Sequence, residues 1–194
     1  MELQHVNVKM FVDGDLPVAP GRFIEIFHGW IQDRALPELL IDVADYRHVP
    51  AGPAVLLVGY EADYSMDHAG HRWGLRYNRK ASLEGANDTR FRQALTSAAH
   101  ACMLLEARLA SEAPLRFSRD AFELFINDRA LAPNTPQTYA ACEPDLRAFL
   151  KSTLGHDDYT ITRQDDPRRR FGVCVQCSTP FDLAAIATFP AGAP

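Results

Sequence analysis

The sequence predicts an α+β fold: one domain made of two strand–helix–strand–strand–helix (βαββα) units, with a mostly antiparallel sheet and the helices packed on one face. Three observations lead to this prediction. Segments with alternating apolar residues are interspersed with segments of helical apolar spacing, their order is the same in both halves, and the halves share short similar stretches. We expect a single domain, residues 1–194, with halves at about 1–112 and 113–194.

The first half contains the first unit. Alternating apolar residues predict a strand at Val6–Val12. Helical spacing of apolar residues between Phe23 and Ile31 predicts a helix that ends before Pro37. An extended segment is predicted at Leu40–Ala44, and a hairpin with a polar tip at Ala54–Tyr60 and Arg72–Asn78. The half ends with a long helix, Thr89–Leu109, capped by Asn87 or Asp88.

The second half repeats this order. A strand is predicted where Phe122, Leu124 and Ile126 alternate with other side chains. Thr135 fits a helix N-cap followed by proline at the first helical position, and Pro144 is expected to kink or restart that helix. Two strands follow at Tyr159–Arg163 and Phe171–Val175. The last helix begins at Thr179-Pro180, with Asp182 placed for a capping box.

Similar residues in corresponding places support an internal duplication. The stretch Phe11-Val12-Asp13-Gly14 corresponds to Phe125-Ile126-Asn127-Asp128, and Arg72-Trp73-Gly74-Leu75 corresponds to Arg170-Phe171-Gly172-Val173. Neither half is large enough to cover its own sheet, so both are expected to share one core. The order of elements is similar to that of duplicated strand–helix–strand–strand domains that bind drugs and haem-like effectors in a groove on their pseudo-twofold axis. That resemblance is one of topology and transfers no residue.

Composition narrows the classes of function. A formal net charge of −5 argues against a nucleic-acid partner, and the basic run Arg168–Arg170 is interpreted as a solvated hairpin tip. No stretch is apolar enough to span a membrane, and the N-terminus lacks the pattern of a signal peptide. The four cysteines are too dispersed for a disulfide scaffold, so we expect a cytoplasmic protein with reduced thiols. Glycine-rich phosphate-binding motifs and the Gly-x-Ser-x-Gly nucleophile motif do not occur in the sequence.

Residues found in only one half are the better candidates for function, because both halves share what the fold requires. The first half has such an insert at 34–53, and a richer hairpin tip at 60–71. The ligand-binding candidates combine these stretches with nearby aromatic residues: Asp42, Asp45, Tyr46, His48, Glu61, Asp63, Tyr64, Trp73 and Tyr77. Carboxylates and imidazoles also suit a divalent metal, for which the candidate ligands are His48, Asp63, Asp67, His68 and His71.

Two main hypotheses of function follow. The first is a non-catalytic protein that binds a small molecule or a protein partner in a groove between the halves, walled by Trp73, Tyr77 and Phe171. The second is a metal-dependent, hydrolytic enzyme that uses the acid and histidine cluster of the insert, including Asp42, Asp45, His48, Glu61 and Asp63. A structural subunit that forms a homo-oligomer is a third possibility. The acid and histidine cluster of the insert also has an interpretation without function: it is a polar turn whose aspartates accept hydrogen bonds from backbone amides.

Overall fold

The computed structural model describes residues 1–50 and 52–188. Within them, eight strands form one antiparallel sheet, and four α-helices pack on one of its faces, as the sequence predicts. The bounds of the elements in chain order are β1 Val6–Val12, α1 Arg22–Asp33, β2 Leu40–Asp45, β3 Pro53–Gly59, β4 Ala62–Asp67, β5 Gly74–Arg79, α2 Asn87–Leu109, β6 Phe117–Ile126, α3 Pro136–Leu154, β7 Tyr159–Arg163, β8 Gly172–Cys177 and α4 Leu183–Ala187.

The sheet has the strand order β2-β3-β4-β5-β1-β6-β8-β7. Strands β1 and β6, the first strands of the two predicted units, pair with each other inside the sheet, where the two halves meet. Each is flanked by the last strand of its own half, because β5 pairs with β1 and β8 pairs with β6. The β2–β3 hairpin extends the sheet on the side of the first half. The duplication itself stays a prediction.

The hydrophobic core lies between the sheet and the helices. Alternate residues of β1, such as Val8 and Met10, are fully buried in it. The apolar stripe of α1 is buried as its spacing predicts, with Phe27 fully buried and its ring 5.2 Å from that of Trp30. Helix α2 lies in the middle of the helical layer, packing on β1 and β5 and against α3 and α4. None of the helices in the described ranges is long and apolar enough to cross a membrane.

One strand was not predicted. The polar hairpin tip contains β4, which pairs with β3 on one side and β5 on the other. Its Ala62, Tyr64 and Met66 alternate and are fully buried. The intervening polar residues Asp63 and Ser65 belong to the other face of the sheet, which made the segment look like a loop.

Three details of the helices also differ from prediction. Asn87 is the first residue of α2, and its side chain accepts a hydrogen bond from the Leu3 amide instead of capping the helix. Helix α3 is continuous through Pro144 and does not restart there, although Thr135 caps it as expected. Helix α4 begins later than predicted, with Asp182 as its N-cap accepting from two backbone amides.

Candidate functional site

The predicted residues of the insert lie on the exposed β2–β3 hairpin, and most of their polar groups bind locally. Residue 51 of the insert lies outside the described residues. The Asp42 carboxylate accepts from the adjacent Val43 amide. Asp45 and Arg47 form an ion pair of 2.6 Å, and the hydrogen bonds from Arg47 lower the pKa of Asp45 to about 2. The rings of Tyr46 and His48 stack with centroids 6.3 Å apart.

The candidate residues around β4 and β5 do not converge into one site. Glu61 accepts from the Leu39 amide, and Asp63 is 2.7 Å from Lys80 Nζ. Tyr64 and Tyr77 are fully buried on the helix-covered face. Their hydroxyls belong to a buried network in which Tyr64 donates to Glu38, and Gln93 donates to Tyr77 and Ser97. Burial raises the pKa of Tyr77 to about 12, which suits a structural donor and acceptor better than an acid or base.

The candidate metal ligands are also separated from one another. Asp67 binds Lys9, while His68 stacks on Trp73 with ring centroids 4.4 Å apart and lies 6.1 Å from the ring of His71. Across residues 1–50 and 52–188, no group of three or more His, Cys, Asp or Glu side chains is arranged so that it could hold a metal ion. The metal-dependent enzyme stays a prediction without an assembled ligand set. Phe171, predicted as a groove wall, lies in the core together with Tyr77.

Polar residues instead assemble on the face of the sheet opposite the helices. Strand register aligns one residue from each of six neighbouring strands, β4, β5, β1, β6, β8 and β7, in a single row: Ser65, Arg76, Lys9, Glu123, Cys174 and Thr162. Because side chains alternate across a strand, this row belongs to the face that Val8 and Met10 do not use. We call this the open face. Its centre lies on β1 and β6, where the two halves meet.

A buried ion pair anchors the open face. Lys9 Nζ donates to Asp67 Oδ1 at 2.8 Å and to the Ala69 carbonyl at 2.8 Å, and both charged side chains are at most 3% exposed. Gly74 makes room for this pair, because a Cβ there would lie 2.5 Å from the Met10 carbonyl and 2.9 Å from the Lys9 side chain. Burial acts to raise the pKa of Asp67, but the charge and hydrogen bond of Lys9, with help from Arg76, hold it below its ordinary value.

A cavity of about 480 Å³ lies over this row, within the roughly 300–1,000 Å³ typical of small-molecule sites. Strands from both halves and the β7–β8 connection line it. Its described lining has seven cationic and three carboxylate side chains, a formal excess of four positive charges: Lys9, Arg76, Arg129, Arg163, Arg168, Arg169 and Arg170 against Asp67, Glu123 and Asp165. We call it the basic pocket. It stands out in a chain whose net charge is −5.

Several of these arginines lack a compensating carboxylate. In the described part of the chain, Arg129, Arg169 and Arg170 form no ion pair within 4.0 Å. The guanidinium of Arg76 is 3.5 Å from Asp67 Oδ2, and its buried Nε has no hydrogen-bond partner among the described residues. Converging cations of this kind are unfavourable unless an anion joins them, so they mark a candidate site.

Phe125 positions two of the arginines. The guanidinium carbons of Arg76 and Arg170 lie 4.7 Å and 5.8 Å from the centroid of its ring, a cation–π geometry. Phe125 is paired with Gly172, where a Cβ would lie 2.7 Å from the Cβ of Phe125. Burial lowers the pKa of Arg170, and the charges of Arg76 and Arg129 lower it further. The charges of Arg76 and Arg129 therefore act on Arg170 and disfavour its charged form.

Sequence reasoning missed the basic pocket. The run Arg168–Arg170 does lie in the connection of the β7–β8 hairpin, and Arg168 is solvated as predicted, being 89% exposed and paired with Asp166. The prediction is wrong for Arg170, which is partly buried against Phe125. A signal was present in the strands: Lys9, Arg76 and Glu123 each interrupt a strand at a position that alternation assigns to the face away from the core.

Comparison with known proteins does not identify the chain: no protein-family model matches it, and no curated protein has a significantly similar sequence. Its function is therefore argued from the site alone.

Proposed function

We propose that the protein is a binding protein, not an enzyme, and that the basic pocket holds an anionic small molecule. The observation that carries this proposal is the excess of positive charge around a cavity of about 480 Å³. A ligand there would contact residues from both halves, as expected for a groove where the halves meet. The pocket differs from the predicted groove in its walls, which are basic side chains of the open face.

The state of the lining groups favours binding over catalysis. A general acid or base works best with a pKa near the working pH. Asp67 is held as a carboxylate by Lys9, and burial raises the pKa of the Cys174 thiol, which makes it less nucleophilic. The described lining of the pocket contains no histidine. These groups suit a fixed electrostatic environment better than proton transfer.

Thermal unfolding in the presence of small anions tests the proposal. A ligand at one hundred times its dissociation constant stabilises the folded state by about 2.7 kcal/mol, or about 5–10 °C for a chain of this size. We expect a stabilising anion among small carboxylates, sulfates and phosphates compared at constant ionic strength. The Arg170→Glu variant is expected to lose that response, whereas Arg108→Glu, on the exposed side of α2, is expected to keep it. Equal responses in all three proteins, or none, would contradict the proposal.

A further inference from the structure

The arrangement of guanidiniums indicates which kind of anion the basic pocket takes; this inference rests on the proposed function. An arginine can bind a partner through the face of its guanidinium or through the N–H groups at its edge. The guanidinium carbons of Arg76 and Arg170 lie 4.7 Å and 5.8 Å from the centroid of the Phe125 ring, so both cations stand beside the same aromatic residue. The N–H groups of arginine bind carboxylates and phosphates in pairs of hydrogen bonds.

The amount of charge favours a multivalent anion. Arg168 is already paired with Asp166, which leaves a formal excess of three positive charges. A carboxylate brings one charge and two oxygens, so two of these three charges would stay uncompensated. A phosphomonoester brings about 1.5–2 negative charges at pH 7 and three terminal oxygens. Arg76, Arg129 and Arg170 bring guanidinium donors to the pocket from three segments: β5, the loop after β6 and the β7–β8 connection. One N–H group of Arg129 donates to the Arg168 carbonyl, and its other N–H groups can serve a ligand.

The three carboxylates of the pocket do not neutralise these arginines. Glu123 forms no ion pair within 4.0 Å in the described part of the chain. Asp67 is engaged by Lys9 and by the Ala69 amide through one oxygen, and Arg76 is 3.5 Å from the other. Asp165 is 93% exposed and lies 3.8 Å from Arg163. Arg170 has neither an ion pair nor a side-chain hydrogen bond in the part of the chain that the structure describes. The same holds for Arg169, but its side chain is exposed, whereas Arg170 is half-buried beside Phe125.

We infer that the ligand of the basic pocket carries a phosphoryl group, bound as a dianion by the guanidiniums of Arg76, Arg129 and Arg170 beside the Phe125 ring. The remaining volume of the pocket accommodates the organic part of a small phosphate ester. Inorganic phosphate, which has the same binding group, is the minimal ligand.

Isothermal titration calorimetry with matched probes tests this assignment. Phenyl phosphate, phenyl sulfate and benzoate share a ring but differ in charge and in number of oxygens, and inorganic phosphate lacks the ring. We expect phenyl phosphate or inorganic phosphate to bind at least tenfold more tightly than the two monoanions at pH 7.5 and constant ionic strength. Phosphate-ester affinity should fall as the pH is lowered through about 6, where the second proton is taken up, while phenyl sulfate affinity stays constant.

Two variants connect binding to the pocket. Arg170→Gln is expected to weaken phosphate binding about tenfold or more, because it removes a charged hydrogen-bond donor, and Arg108→Gln is expected to have no effect. Circular dichroism checks that both variants fold. Equal or tighter binding of benzoate or phenyl sulfate, weakened by Arg170→Gln, would overturn the phosphate assignment and leave an anion-binding pocket. Phosphate binding unaffected by Arg170→Gln would overturn the assignment as well, and failure of every anion to bind would overturn both proposals.

Discussion

Removing one charge of the buried ion pair between Lys9 and Asp67 should cost far more stability than removing one charge of an exposed pair of similar length. Asp67→Asn keeps the shape of the side chain and an oxygen that can accept from the Ala69 amide, but it removes the charge. Lys9, whose side chain is 3% exposed, would then be buried beside Arg76 without a carboxylate. Breaking a buried pair in this way costs about 3–5 kcal/mol. For a chain of this size, that lowers the midpoint of thermal unfolding by about 6–20 °C.

A matched control is available in the pair Lys151–Asp157. Its N–O distance is 2.7 Å, close to the 2.8 Å of the buried pair, but its side chains are 67% and 61% exposed. Asp157→Asn should therefore change the free energy of unfolding far less than Asp67→Asn, because water screens the exposed pair. Urea unfolding followed by circular dichroism gives the free energy of unfolding of both variants, and unchanged slopes would show that the two-state comparison is valid.

If Asp67→Asn destabilised the protein no more than Asp157→Asn, the buried Lys9 charge would not need its carboxylate, contrary to expectation. The double variant Lys9→Met with Asp67→Leu separates the effect of charge from that of shape. Replacing both charges by apolar groups of similar size is expected to recover most of the stability lost in Asp67→Asn.

Further predictions concern pH, packing and capping. The pKa of Asp67 is lower in the folded than in the unfolded state. Its contribution to stability is therefore complete above about pH 4 and is lost as the pH falls through the folded pKa. Urea titrations in acid should show that the difference in unfolding free energy between wild type and Asp67→Asn shrinks over this pH range. Gly172→Ala should destabilise the protein by about 1–3 kcal/mol, because the new Cβ would lie 2.7 Å from Phe125 Cβ. Gly29→Ala on α1, where a Cβ meets open space, should stabilise it by up to about 1 kcal/mol in the same urea assay. Thr135→Ala should cost about 1 kcal/mol by removing the N-cap of α3, measured by the same unfolding curves.

Elements with a clean local pattern were predictable from sequence. Strands β1, Val6–Val12, and β7, Tyr159–Arg163, have the predicted bounds, because alternation of apolar side chains is a local property. Strand β4 was missed because its polar positions Asp63 and Ser65 face the open side of the sheet and resemble loop residues. Its buried Ala62 is small and gives a weak signal of alternation.

The site was harder to predict because sequence proximity and spatial proximity differ. The acidic and histidine residues of the insert are close in sequence, yet groups such as Asp45 bind a neighbour two residues away. The pocket arginines instead come from separate strands and loops, and only strand register brings Arg76 and Lys9 side by side. Register depends on long-range pairing, which a single sequence does not reveal.

A crystal structure of the protein soaked with tungstate, a heavy-atom analogue of phosphate, would show whether the basic pocket binds anions. Anomalous scattering locates the anion without ambiguity. We expect an anomalous peak in the basic pocket, beside Phe125 and within hydrogen-bonding distance of the Arg170 and Arg76 guanidiniums. A pocket without anomalous signal in a crystal that binds tungstate elsewhere on the surface would contradict the claim that the open face of the sheet is an anion-binding site.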